Sequence, residues 1–129
     1  MKKLKKRVEE DINFELEEAN KNYPLFASDH EGLAIIGEEV AEARREMRHL
    51  EMWYEQLTND VYYDENESAD NNIEDIIKLA TNLACEAIQV AAMGHKWKLG
   101  RKQDKRLEDM SMPELIEERR KVEKEIRTR

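Results

Sequence analysis

Residues 73–94 read IEDIIKLATNLACEAIQVAAMG. Ile73, Ile76, Ile77, Ala80, Leu83, Ala84, Ala87, Ile88 and Ala91 recur at spacings of three and four, the period of a helix with a broad apolar face. Its abundance of alanine permits close approach of a neighbouring helix, which predicts the most buried element of the chain. From Leu79 to Gly94 the only charged side chain is Glu86. An unpaired buried carboxylate costs several kcal/mol or takes up a proton, so Glu86 requires an ion pair, a hydrogen-bond network or a metal ion.

The segment before it supplies a partner helix. In residues 33–57, LAIIGEEVAEARREMRHLEMWYEQL, the side chains Leu33, Ile36, Val40, Ala43, Met47, Leu50, Tyr54 and Leu57 alternate spacings of three and four. This predicts a long core-facing seam of the kind found in bundles and coiled coils. Glu39 and Glu46 flank that seam and Glu42 lies on the same side, whereas Glu38 points away. Ser28 to Glu31 has the Ser-x-x-Glu spacing of a capping box, which starts this helix. The polar run from Thr58 to Asn72 reads as a loop, with Asn71 or Asn72 capping the next helix and Gly100 stopping it after Leu99.

Two outer helices complete the chain. Residues 2–22 carry a narrow stripe of Leu4, Val8, Ile12, Leu16 and Ala19, ended by Tyr23-Pro24 because the residue before proline is pushed out of helical geometry. A second capping box, Ser111 to Glu114, opens a helix over 112–127 with Leu115, Ile116, Val122 and Ile126 among many charges. That helix has too little apolar area to stand alone and must dock on the bundle or on another subunit. With four glycines and two prolines in 129 residues, the chain lacks the breakers of a strand-and-turn fold. The fold class is all-α, a bundle of about four helices forming one domain over 1–129, with its core at 28–99.

Charged residues make up 40% of the chain and mean hydropathy is -0.92, yet the apolar residues cluster periodically, as in amphipathic helices with wet outer faces. A net charge of -8 disfavours nucleic acid as a partner, since such binders present a basic surface. Lys2, Lys3, Lys5, Lys6 and Arg7 are followed by acids and read as a solvated helix face. Cys85 is the only cysteine, and its apolar neighbours predict an inert packed thiol in a reducing, cytoplasmic setting. No uninterrupted apolar run approaches membrane-spanning length, so neither export nor a membrane partner is expected.

Glu39 and Glu42 stand three residues apart, on adjacent ridges of one helix face. Packed against Glu86, they form a set of hard oxygen ligands suited to Mg²⁺, with Mn²⁺ as an alternative. Without a cation, the bland reading is Glu86 paired with a lysine or arginine and Glu39 and Glu42 solvated. Lys96, Lys98 and Arg101 are the nearest basic cluster, readable as phosphate contacts or as cations favoured at a helix C-terminus. Trp53 is open to stacking on a base, whereas Tyr54 is assigned to packing. His30 and His95 lack companions at metal-ligand spacing.

His30-Glu31-Gly32, then Ile36-Gly37-Glu38-Glu39-Val40-Ala41-Glu42, then Glu86-Ala87-Ile88-Gln89-Val90-Ala91-Ala92-Met93 together resemble the MazG-like group of all-α nucleoside triphosphate pyrophosphohydrolases, particularly its small phage-type members. The resemblance spans about Ser28 to Leu99. It puts the family's Glu-x-x-Glu on Glu39 and Glu42 and its Glu-x-x-Asp on Glu86 and Gln89, the last a departure that leaves three formal negative charges. It implies Mg²⁺-dependent cleavage of a nucleoside triphosphate to monophosphate and pyrophosphate, a nucleotide-pool house-cleaning reaction. The metal ligands would be Glu39, Glu42, Glu86 and the neutral Gln89, with Glu38 and Glu39 as candidate bases and Glu38 or Glu46 as outer support. Lys96, Lys98 and Arg101 would contact phosphate. A homodimer or homotetramer is implied as well. The competing reading is a non-catalytic MazG-like bundle that binds a nucleotide without turnover, or that acts through its helical surfaces.

Overall fold

The computed structural model describes the backbone of residues 1–128 and the side chains of these except 104, 106–108 and 126–128. Ile126, expected on the last apolar stripe, thus lies outside the described side chains. Four helices follow in order: α1 (Lys2–Asn22), α2 (Asp29–Tyr62), α3 (Asn66–Glu108) and α4 (Met112–Thr128). No strand occurs among the described residues, so the all-α expectation holds. The chain divides into two compact units, Met1–Ile36 with Ala91–Arg129, and Gly37–Val90.

The unit Gly37–Val90 is an antiparallel pairing of α2 and α3. Along α2 the half-buried or buried positions are Glu39, Ala43, Glu46, Leu50, Trp53, Leu57 and Asp60. Along α3 they include Ala69, Asn72, Ile76, Leu79, Leu83, Glu86 and Val90. Both series alternate three and four, the 3.5-residue repeat that keeps two helices in register along a common seam.

This seam differs from the expected one. Ala43, Leu50 and Leu57 lie on it, but Val40, Met47 and Tyr54 are 37%, 42% and 64% exposed, and Glu39, Glu46 and Trp53 stand in their place. The apolar band on α2 is wider than one neighbouring helix can cover, so one edge is left in solvent. Tyr54, assigned to packing, is exposed, whereas Trp53, left open by the sequence, is half-buried on the seam. Ala80, Ala84 and Ala87, expected at a close helix contact, are exposed on α3.

The expected 58–72 loop is also largely helical. Asp60, only 1% exposed, accepts hydrogen bonds from Gln56 Nε2 at 3.1 Å, Ser68 Oγ at 2.9 Å and Asn72 Nδ2. With Ser68 and Asn72 held to Asp60, α3 begins at Asn66, and the turn shrinks to the residues between Tyr62 and Asn66. Asp64 takes the left-handed conformation that closes it (φ 56°), and Glu65 N–H donates to the Asp60 carbonyl at 2.8 Å. Asp and Asn side chains that bond nearby backbone or caps tolerate such turns, so their abundance here marks a tight connection rather than a long one.

In the other unit, Ala92 and Met93 are the buried apolar side chains, 0% and 7% exposed. Gly32 is buried under the Trp97 ring: a Cβ there would meet Trp97 at 2.6 Å and Phe26 at 2.9 Å. Gly100 does not end α3 but lies buried within it, where the Phe26 carbonyl passes 3.9 Å from the place a Cβ would occupy. Both capping boxes form in part: Glu31 N–H donates to Ser28 Oγ at 3.1 Å, and Ser111 N–H donates to the Glu114 carboxylate at 3.4 Å. Helix α4 is tied to α3 where Gln103 Nε2 donates to Glu118 at 3.1 Å.

Removing the Asp60 carboxylate strands three donors, two of them on the opposing helix. Asp60→Ala is expected to lower unfolding free energy by about 2–4 kcal/mol in urea denaturation, well above a typical surface change. Gly32→Ala is expected to cost about 1–3 kcal/mol in the same measurement, because the Trp97 ring must give way.

Candidate metal centre

Helix α2 presents Glu39 and Glu42 one turn apart, and α3 presents Glu86 across the seam. One oxygen from each of the three carboxylates lies within 4.8 Å of the others. Glu39 and Glu86 are half-buried and Glu42 is exposed, so the cluster opens to solvent on the Glu42 side. Among the described residues no lysine or arginine pairs with any of the three, and the bland reading of Glu86 clamped by a cation fails.

The electrostatics follow from this crowding. Burial, then the charges of Glu42 and Glu38, push the Glu39 carboxyl above the ordinary carboxylate value, while its hydrogen bond with Glu86 opposes the shift. Glu86 is pushed up by burial first, then by a hydrogen bond with Glu42 and by the charges of Glu42, Glu39 and Glu46. Like charges this close cannot all ionise, and a proton shared through Glu86 relieves the repulsion. A divalent cation relieves it equally well. Oxygens around Mg²⁺ stand about 3.0 Å apart at adjacent positions and about 4.2 Å apart at opposite ones, so the three carboxylates would have to draw closer together to share one ion.

The remaining expected residues fall into two groups. Gln89 lies one turn beyond Glu86 on α3 and is half-buried; Glu38 is exposed beside Glu39, and Glu46 is half-buried one turn beyond Glu42. Lys96, Lys98 and Arg101 belong to the other compact unit. There Lys96 is 4% exposed, with Nζ 5.2 Å from the Phe26 ring centroid and 6.0 Å from that of Tyr23. Arg101 stands 5.3 Å over the Trp97 ring and pairs with Asp29 at 2.7 Å, whereas Lys98 is exposed. His30 and His95 are both exposed.

Cys85 is exposed rather than packed. It stands next to Glu86 on the side of α3 that turns away from the seam, where Asn82 and Lys78 also lie. The sequence reading passed over Asp60 altogether. Its signal was available, since it continues the seven-residue series of Glu39, Glu46 and Trp53 as an acid on a seam position.

Comparison of the sequence with protein-family models and curated proteins, and of the fold with solved structures, returns no match.

The raised carboxyls give a signed pH dependence. Between the ordinary value of 4.5 and the higher folded values of Glu39 and Glu86, the folded chain holds more protons than the unfolded one. Metal-free stability is therefore expected to fall as pH rises through that window, read by thermal denaturation. Glu86→Gln removes the charge and should raise the metal-free Tm at pH 7. Mg²⁺ at 100 times its Kd should stabilise the unmodified chain by about 2.7 kcal/mol and Glu86→Gln by far less.

Proposed function

We propose that this chain is a Mg²⁺-dependent nucleoside triphosphate pyrophosphohydrolase of MazG-like type, acting in clearance of the nucleotide pool. The observation that carries this reading is the convergence of Glu39, Glu42 and Glu86 on one point with no protein cation among the described residues to neutralise them. Such a set suits an ion shared with a polyphosphate. The same residues carry the sequence resemblance, which supplies the reaction class.

In the proposed reaction a water oxygen bonds to the α-phosphorus, the bond from that phosphorus to the α–β bridging oxygen breaks, and pyrophosphate leaves. The two protons of the water pass to a base and to solvent. When bound, Mg²⁺ supplies charge neutralisation on the phosphates and polarises the reacting phosphorus. Glu39, Glu42 and Glu86 hold the ion, and Gln89 contributes a neutral oxygen. Glu38, exposed beside the cluster, is the better candidate to take the water proton, because Glu39 is committed to the ion. Nucleotide approach is from the Glu42 side, where the cluster opens.

A second reading, a bundle that binds nucleotide without turnover, is favoured by one feature. Gln89 replaces a carboxylate with an amide and leaves three formal charges where the MazG-like pattern has four. The protein is proposed to work in the cytoplasm in either case.

Pyrophosphate release from a panel of canonical and modified nucleoside triphosphates tests the proposal. Turnover is expected only with Mg²⁺ or Mn²⁺, and Glu39→Gln or Glu86→Gln should lower kcat/KM by more than the roughly 10–100-fold typical of outer-sphere changes. Gln89→Asp should tighten Mg²⁺ binding and raise turnover. No turnover from either Gln89 or Asp at this position, alongside nucleotide-dependent thermal stabilisation, would select the binding reading.

A further inference from the structure

The two sides of the 37–90 hairpin differ, and one of them changes character along its length. One step past the seam, α2 carries Val40, Arg44 and Met47 near the carboxylates, then Tyr54, Thr58 and Val61 toward the turn. The opposite side, one step before the seam, carries Glu38, Glu42, Arg45 and His49 on α2 and Lys78 and Gln89 on α3. The carboxylate cluster opens toward that polar side, through exposed Glu42.

At the turn, aromatic rings stand in solvent. Tyr54 and Tyr62 lie eight residues apart on one ridge of α2, with Thr58 midway, and Tyr63 follows directly. The three tyrosines are 64%, 79% and 68% exposed, and Val61 beside them is 65% exposed. The rings of Tyr62 and Tyr63 meet edge to face with centroids 5.0 Å apart. Their backbone is fixed: Tyr63 N–H donates to the Asn59 carbonyl at 3.0 Å and Asp64 N–H to the Val61 carbonyl at 3.3 Å, directly above the buried Asp60. Tyrosines displayed on a rigid backbone supply large contact area at low entropic cost, and such rings anchor protein contacts.

The charge around these rings identifies the kind of partner. Residues 50–77 hold nine acidic side chains and no lysine, arginine or histidine, whereas the rest of the chain holds 21 acids against 22 lysines and arginines. The whole net charge of -8 therefore resides at the turn end of the hairpin, within about 20 Å of helix on each arm. Of the nine, all but Asp60 and Asp75 are exposed, and no described cation pairs with any of them. Glu51 and Glu55 flank Tyr54 on α2, and Asp70 on α3 turns to the same side. A single-sign field of this kind draws in opposite charge and repels its own sign.

We propose that the turn end of this hairpin is a docking surface for a basic polypeptide segment of a partner protein, with arginine side chains stacked on Tyr62 and Tyr63 and the flanking acids fixing its register. Arginine suits the surface because its guanidinium both stacks on an aromatic face and pairs with carboxylates. A metal ion suits it less. Among the described residues only Glu39, Glu42 and Glu86 bring three ligand oxygens together, so the acids at the turn are spread as a row of separate charges requires. Nucleic acid and anionic lipid are repelled by the same field. Helix α3 does contain an 18-residue window of mean hydropathy 1.3, long and apolar enough by composition to cross a membrane, which corrects the sequence expectation. That property does not extend to the acidic turn. The surface is also separate from the candidate metal centre, since Asp60 lies about 27 Å along α2 from Glu42.

The test titrates the full chain with a peptide of about ten residues alternating arginine and serine, which spans about 33 Å when extended and so reaches across the turn end. At about 0.15 M salt, calorimetry should give saturable binding with a Kd of about 10–100 µM, tighter than for the matching lysine and serine peptide. Tyr62→Ala combined with Tyr63→Ala should weaken binding about 5–30-fold, the equivalent of two exposed cation–π contacts. Glu51→Gln, Glu65→Gln and Asp70→Asn together should weaken it at least about 10-fold. Neutralising as many acids on α1, by Glu9→Gln, Glu10→Gln and Asp11→Asn, should change it less than about 2-fold. If a variant fails to fold, amide shift mapping on the unmodified chain decides: changes centred on residues 61–70 support the proposal, and changes centred on α1 or on Glu39, Glu42 and Glu86 overturn it. Absence of saturable binding overturns it as well. So does equal affinity for the two peptides with no loss in the tyrosine variant, or a loss from the α1 variant as large as from the acids at the turn.

Discussion

The hydrogen bonds that converge on Asp60 fix the register of α2 against α3, and the candidate metal centre depends on that register. Eighteen residues separate Asp60 from Glu42 on α2, and eighteen separate Ser68 from Glu86 on α3. Eighteen residues make five turns and about 27 Å of helix. Clipping Asp60 to Ser68 at the turn therefore brings Glu42 level with Glu86 at the far end, on the same face as it began. A slip of one residue would rotate Glu86 by about 100° away from its partners, and the cluster would scatter. The seam between is filled by Leu50, Trp53 and Leu57 from α2 and Ile76, Leu79 and Leu83 from α3. Those side chains give adhesion with little preference between neighbouring registers, whereas the two directed bonds from Ser68 and Asn72 on α3 to the buried Asp60 carboxylate on α2 tolerate only one.

How much of this was legible in the sequence depends on whether a feature is periodic or relational. The helices were legible because apolar spacing and two Ser-x-x-Glu boxes are local signals. Glu86 was legible as an anomaly, since a lone charge in an apolar run is visible without knowing its neighbours. Which half of the α2 stripe faces α3 was not legible. Leu33, Val40, Met47 and Tyr54 and the set Ile36, Ala43, Leu50 and Leu57 have the same spacing, and only the position of the partner helix chooses between them. Asp60 and the short turn were obscured for a related reason. The Asn- and Asp-rich run reads as an extended loop until Ser68 and Asn72 are seen to share one acceptor eight and twelve residues back.

The two sides of the hairpin also separate two physical problems. Acids within 4.8 Å of one another raise the free energy of the folded chain unless a proton or a cation intervenes. An apolar face without cover leaves the hydrophobic term of folding incomplete. The first deficit sits on the polar side and the second on the apolar side, so relieving one does not obstruct the other. Arg45, His49 and Lys78 share the side on which the carboxylates open. Under the proposed function an incoming polyphosphate would meet these basic groups at its edges and the acids at the centre.

Under the proposed function, the stability of this chain is set substantially by what it binds. A domain of this size retains only a small margin between large opposing terms, and here the interior of the hairpin holds half-buried glutamates where a self-sufficient bundle would hold leucines. Ligands that bind only the folded state add to that margin by mass action, in proportion to the logarithm of their concentration over Kd. Under the proposed function a cation would act on the acids, and anything that covers the apolar stripe would act on a separate surface. The two contributions should be close to additive, since contacts that share no partners couple weakly. The exception is any movement of the seam, because Asp60, Trp53 and Glu39 each lie one residue before an outward-facing apolar side chain on the same helix. A partner that pressed on Val40 would shift Glu39 as well, and coupling between that contact and ion binding would then be transmitted through that one turn of α2.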